Sequence, residues 1–199
     1  MQDVEDEPAL STRVWTVPNL LSMLRLIAVP IFLWLLLEHH DLWAFAVLAV
    51  SGVTDYLDGK IARHYGLVTR LGQLLDPAAD RLYILSTLLG LASRSIIPWW
   101  LVALLLAREV FVAAFALPLR RHRLPIPPVH FIGKLATFCL IYAFPLILLG
   151  QQDGPVGSVA LPLGWSFAWW GLGLYWVAGI MYARQILGMV RQRRTGAAL

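Results

Sequence analysis

The sequence predicts an all-α integral membrane protein, a bundle of six transmembrane helices, and three observations carry that prediction. The first is composition: of 199 residues, 59% are hydrophobic and 14% charged, with a mean hydropathy of +0.68 that an ordinary soluble domain does not reach. The second is that apolar stretches of bilayer length follow one another along almost the whole chain. The third is that most basic residues gather at the ends of those stretches, on one side. Nine Trp and six Tyr suit two membrane–water interfaces. A single cysteine, Cys139, excludes a disulfide framework. The net charge of +4 and pI near 9.6 do not form a basic face, so no nucleic-acid partner is expected.

A hydrocarbon core of about 30 Å needs about 20 apolar residues per helix. Six segments qualify: 18–37, 42–62, 71–92, 97–119, 129–149 and 163–190. The breaks fall at Glu38-His39-His40-Asp41, His64-Tyr65-Gly66, Ser93-Arg94-Ser95, 121–128 and 151–155, each with polar, Gly or Pro punctuation. The first stretch is too long for a signal-peptide core, follows an acidic run at Asp3, Glu5, Asp6 and Glu7, and is expected to stay as a span. The expected organisation is a cytoplasmic N-terminal segment (1–17), the six-helix domain (18–190) and a basic cytoplasmic tail (191–199).

In a six-span arrangement Arg13, Lys60, Arg63, Arg70, Arg120, Arg121, Arg123, Arg191, Arg193 and Arg194 lie on one side, against Arg94 on the other. By the positive-inside rule both termini are cytoplasmic, as for a multi-pass protein of the plasma membrane. Arg25, Arg81, Arg108, Lys134 and Arg184 fall inside apolar segments, as do Asp55, Asp58, Asp76, Asp80 and Glu109. Each such group costs about 2.5 to 3.5 kcal/mol at a helix centre on insertion scales, which marks the bundle as a functional site. The five histidines lie at segment ends and receive no role.

Asp55 and Asp58 are three apart on the second helix, and Asp76 and Asp80 four apart on the third, so each pair shares one helical face. The short connection around Gly66 makes the two helices antiparallel neighbours, with both pairs toward the connecting end. Four carboxylates this close are stable only with cations between them or with some protonated. All-oxygen ligation favours Mg²⁺ or Mn²⁺ over zinc, and a metal site of this kind binds diphosphates. Gly59 and Gly72 leave room for a nucleotide, and Arg63 offers a fork to phosphate. Alternatively, the aspartates cap helices or pair with Lys60, Arg63, Arg70 and Arg81. Against this, the joint pattern D-x2-D-G-x2-A-R-x8-G-x3-D-x3-D arises by chance at on the order of one start site in 10⁹.

The pattern resembles the signature of the CDP-alcohol phosphatidyltransferases, and Asp55, Asp58, Gly59, Ala62, Arg63, Gly72, Asp76 and Asp80 all match it. The opening Pro18-Asn19-Leu20-Leu21-Ser22 with Arg25 is also similar to the family's first span. The resemblance implies a six-helix fold with a cytosol-facing site, and transfer of the phosphatidyl group of CDP-diacylglycerol to an alcohol with release of CMP. It further implies that Asp55, Asp58, Asp76 and Asp80 hold two divalent cations, and that Asp80 takes the acceptor's hydroxyl proton. Gly59, Arg63, Thr69 and Gly72, with Asp58, would hold the nucleotide, and Pro18 and Asn19 would line its cytidine side. Family members of this layout are usually homodimers.

Three in-span cations, Arg108, Lys134 and Arg184, are left unexplained by the positive-inside rule, and they suit a pocket for a phosphate-bearing acceptor beside the metals. The alternatives are an Arg108–Glu109 or interhelical pair, and snorkelling of Lys134 and Arg184 to the interface. The Gly133-Lys134 pair and the first span resemble those of glycerol-3-phosphate transferases, and with this pocket that resemblance implies glycerol-3-phosphate as the first expected acceptor, phosphatidylglycerol as the second, and inositol phosphate or serine as the third. Rivals of other classes are a cation transporter and a catalytically dead scaffold. Transport needs polar groups through the full thickness and often paired repeats, whereas these aspartates lie to one side and no repeat is visible. A dead scaffold is expected to lose a carboxylate, and none is lost.

Overall fold

The structure, a computed structural model, describes residues 17–65, 70–122 and 131–196. Six helices follow in order: α1 (Val17–Leu37), α2 (Asp41–Tyr65), α3 (Arg70–Ser93), α4 (Trp99–His122), α5 (Phe131–Leu149) and α6 (Pro155–Gly196). No strand occurs among the described residues, as the apolar pattern predicts.

The helix ends show why the breaks fall where they do. After α1 the His40 N–H bonds the Leu35 carbonyl and the His39 N–H the Leu36 carbonyl, with His39 at φ 63°. This is a Schellman cap with histidine in the left-handed position where glycine is more usual. Ser95, at φ 58°, bonds back to the Ala92 carbonyl and closes α3. The sixth helix departs from the sequence expectation by starting at Pro155 instead of Leu163. Gly154, at φ 97°, makes the turn, and Pro155 is pre-shaped for a first helical position because it has no N–H to satisfy. Pro162 then lies inside the helix, where it removes one backbone bond without ending it. With 42 residues α6 is about 60 Å long, twice a hydrocarbon core.

The chain divides into two compact units at Leu91/Ala92. In the first, α1 packs along α2, and Phe32 and Leu36 of α1 are fully buried. Leu36 lies so close to Gly90 of α3 that a Cβ at position 90 would come within 2.6 Å of it. In the second unit α4 and α5 each pack on α6. Ile147 meets Gly164 and Leu140 meets Gly171, so seven residues back along α5 match seven forward along α6, and the two helices are antiparallel. A Cβ at Gly164 would lie 2.7 Å from the Ile147 backbone nitrogen, and one at Gly171 2.9 Å from Leu140. Gly157, Gly164, Gly171 and the buried Ala178 recur every seven residues, the spacing that keeps one helix edge against a partner helix in a left-handed supercoil.

Trp99–Leu117 and Phe131–Leu149 are long and apolar enough to cross a bilayer, and only 17% and 33% of these windows is buried. Buried core helices of soluble proteins do not look like this. Trp34, Trp43, Val110, Phe131 and Trp170 are among many large apolar side chains left exposed, a surface suited to hydrocarbon. Met23–Leu37, Asp41–Thr54 and Arg81–Ser93 form shorter apolar helices.

Candidate active site

The motif positions lie on two consecutive helices. Asp55, Asp58, Gly59 and Arg63 belong to the last turns of α2, and Gly72, Asp76 and Asp80 to the first turns of α3. Pro18 and Asn19 lie in the first turn of α1. The side chains of all these residues, and Thr69 altogether, lie outside the described residues. No metal-sized group of three His, Cys, Asp or Glu gathers among the described residues, and the four motif aspartates are not among the side chains described.

What the structure does describe is the interior that continues those faces. Tyr83 of α3 packs its ring on Phe32 of α1, with centroids 5.8 Å apart, and its hydroxyl donates to the Val47 carbonyl of α2 at 3.4 Å. The Ser51 hydroxyl is hydrogen-bonded to the same group, and Arg25 of α1 acts on it electrostatically. Thr87, one turn on, returns its hydroxyl to the Tyr83 carbonyl at 2.8 Å. Ser51, Tyr83, Thr87 and Arg25 are all buried, so polar side chains from three helices share the core of this unit. Ser51, Asp55 and Asp58 are spaced four and three, and Asp76, Asp80, Tyr83 and Thr87 four, three and four. Both series keep to one helical face. The spacing in the sequence already extends the aspartate faces to Ser51 and Tyr83, whose residue types carry no signal of their own.

The second unit holds the three further cations. The Arg108 guanidinium lies 3.8 Å above the Tyr175 ring of α6. Its Nε donates to the Tyr175 carbonyl at 3.3 Å and its Nη1 to Glu109 Oε1 at 3.0 Å. The Tyr175 hydroxyl donates to the same Glu109 oxygen. Both partners weighed from the sequence, Glu109 and a neighbouring helix, are therefore present together. Gly179 faces Arg108 and Val112, and Trp100 stacks near Trp169, so α4 and α6 run parallel. Lys134 is exposed in the first turn of α5. Carrying the α5–α6 register six residues beyond Leu140 sets it level with about Val177, between Tyr175 and Gly179. Arg108 and Lys134 thus occupy one level of α6. Arg184, also exposed, lies about 10 Å further along that helix.

The sequence model of the CDP-alcohol phosphatidyltransferases matches residues 15–188, nearly the whole helical region. The chain belongs to the CDP-alcohol phosphatidyltransferase family. A protein of Streptomyces coelicolor called cardiolipin synthase (CMP-forming) is 53% identical over 195 residues, covering 95% of this chain and 91% of its own. A putative cardiolipin synthase of Mycobacterium tuberculosis is 46% identical over 189 residues, covering 94% and 90%. A probable phosphatidylglycerophosphate synthase of the same organism is 38% identical over 155 residues, covering 75% and 73%. The chain is a CDP-alcohol phosphatidyltransferase, an enzyme of phospholipid synthesis in a membrane-associated, generally divalent-cation-dependent family.

Proposed function

We propose that this enzyme transfers the phosphatidyl group of CDP-diacylglycerol to phosphatidylglycerol, making cardiolipin and releasing CMP. The observation that carries this reading is 53% identity, end to end, with a relative called cardiolipin synthase (CMP-forming). It reverses the order reached from the sequence, where glycerol-3-phosphate came first. That acceptor, giving phosphatidylglycerophosphate, stays as the second reading on the 38% relative. Both acceptors carry a phosphate, so basic residues cannot separate them. The difference is two acyl chains, which no charge pattern reports.

In this reading Asp55, Asp58, Asp76 and Asp80 hold two divalent cations, Mg²⁺ or Mn²⁺. The donor set fits such ions: four hard carboxylates on two faces whose continuations meet at Ser51 and Tyr83. Bound there, the cations supply charge neutralisation for the diphosphate and the departing CMP. Asp80 accepts the proton of the acceptor's hydroxyl. That oxygen bonds to the lipid-side phosphorus of the CDP-lipid as the bond from this phosphorus to the CMP oxygen breaks. Gly59, Arg63, Thr69 and Gly72 hold the nucleotide together with Pro18 and Asn19, and Arg108, Lys134 and Arg184 receive the acceptor's phosphate. We read all six helices of 18–190 as spans, with segments 1–17 and 191–199 and the site on the cytoplasmic side of the plasma membrane, and the enzyme as a homodimer. Exposed apolar side chains on α1, α2, α4, α5 and α6 support the bilayer setting.

The test is product analysis with purified enzyme, CDP-diacylglycerol, and phosphatidylglycerol or glycerol-3-phosphate in turn. Cardiolipin and CMP should form in equal amounts with the first. Phosphatidylglycerophosphate as the sole product would replace this reading with the second.

A further inference from the structure

Arg108 is held on three sides, by a ring face, a carbonyl and a carboxylate. Of a guanidinium's five N–H groups, the Nε and one on Nη1 are used, which leaves three with no partner among the described residues. The side chain keeps 15% of its surface exposed, so these groups are reachable. A staple joining α4 to α6 does not need this chemistry, because apolar residues of similar size usually join helices as well as an ion pair does. The arrangement instead resembles a pre-oriented fork: the charge is partly offset by Glu109, and the plane is set by stacking on Tyr175. Gly179 contributes by absence, since a Cβ there would come within 3.3 Å of Arg108 Nε. The whole assembly lies at the level of Lys134, the exposed cation on α5.

We infer that Glu109 and Tyr175 are positioning residues for the acceptor: they fix Arg108 so that its remaining N–H groups take a phosphate oxygen of the acceptor at the level of Lys134. This rests on the acceptor pocket proposed above. The gain is orientation, because a fork already held in place loses little freedom when the anion arrives. Removing the carboxylate frees the guanidinium to swing, and removing only the Tyr175 hydroxyl loosens Glu109 by one step.

The experiment measures steady-state kinetics of the full-length enzyme in micelles, varying phosphatidylglycerol and CDP-diacylglycerol separately, with thermal unfolding of each variant alongside. Glu109→Ala should raise the acceptor KM about 10-fold and Tyr175→Phe about 3-fold, while kcat and the CDP-diacylglycerol KM stay within about 2-fold. Glu109→Gln, which keeps an acceptor oxygen, should restore most of the loss. Gly179→Ala, which removes no polar group, should raise the same KM. A purely structural staple would lower the unfolding temperature and leave the acceptor KM unchanged, and that result overturns the inference. Arg108→Ala separates the two layers of the argument. If it raises the acceptor KM while the Glu109 and Tyr175 variants do not, the positioning role alone is wrong. If it leaves the acceptor KM unchanged, the pocket reading fails at Arg108 and the positioning role with it. Should Glu109→Ala not fold, Tyr175→Phe and Gly179→Ala, both expected to raise the acceptor KM, carry the test.

Discussion

The two units of this chain are built on opposite plans. In α1–α3 an apolar core takes in buried polar side chains, Arg25, Ser51 and Thr87, and is keyed by one large side chain, Tyr83, which touches α1 through its ring and α2 through its hydroxyl. In α4–α6 the interior depends on missing side chains, with glycines that let α5 approach the backbone of α6. A polar side chain in the core is costly in a bilayer setting, where an unpaired group has no water to turn to. The buried polar side chains of the first unit therefore cost stability unless each is paired. The second gains stability from close packing, and its charged cluster of Arg108 and Glu109 with Tyr175 lies where α4 meets α6.

The contrast predicts which substitutions destroy activity and which destroy the fold. Asp58→Asn and Asp76→Asn should each lower turnover by about 10³-fold or more while the protein stays inserted with an unchanged unfolding transition, since a lost ligand removes charge the cations require. Near wild-type metal-dependent activity in either variant would break the comparison at its first term. Gly164→Leu should do the reverse, costing about 2 to 3 kcal/mol in a detergent unfolding titration because the added side chain meets the Ile147 backbone. An unfolding curve unmoved by that change would mean that the glycine edge does not hold α5 to α6.

Smaller effects sharpen the contrast. Arg63→Ala should raise the CDP-diacylglycerol KM about 10-fold with a lesser fall in kcat, as expected of a residue that binds the donor. Initial rates at varied donor concentration decide it, and a fall in kcat alone would remove Arg63 from the donor site. The smallest change is Tyr83→Phe, which keeps the ring on Phe32 and loses the long bond to Val47, at about 0.5 to 1 kcal/mol. Comparison of its unfolding midpoint with that of Tyr83→Ala, expected to lose about 3 kcal/mol or more, separates ring packing from hydroxyl bonding.

How much of this could be read in advance differed between the units for the same physical reasons. The aspartates stood out because charge inside an apolar segment is costly and conspicuous, and their spacing placed them on faces at once. Tyr83 and Ser51 sit on those same faces, but a tyrosine or serine in a helix is unremarkable until its partners across the interface are known. The expected sixth span opens at Leu163, eight residues after the actual start of α6, although the break at 151–155 already ends on Gly154 and Pro155, which carry the start signal. The seven-residue recurrence of Gly157, Gly164, Gly171 and Ala178 was present in the letters, yet hydropathy alone gives small residues little weight. Glu109 and another helix are both options the sequence offers for Arg108, but the residue on that helix, Tyr175, is 67 residues away in sequence and emerges only when α4 lies along α6. The acceptor lay beyond reach for a different reason, since a shared phosphate makes the same demand on the cations whether or not acyl chains are attached.

The central claim is that the continuing faces of α2 and α3 bring four aspartates together around two divalent cations. Titration of the metal-free enzyme with Mn²⁺, followed by electron paramagnetic resonance, tests it most directly. The account predicts two bound ions per chain with a spin-coupled signal, reduced to at most one uncoupled ion by Asp58→Asn or Asp76→Asn. A single uncoupled ion in the wild-type protein, or a coupled pair that survives both substitutions, would contradict it.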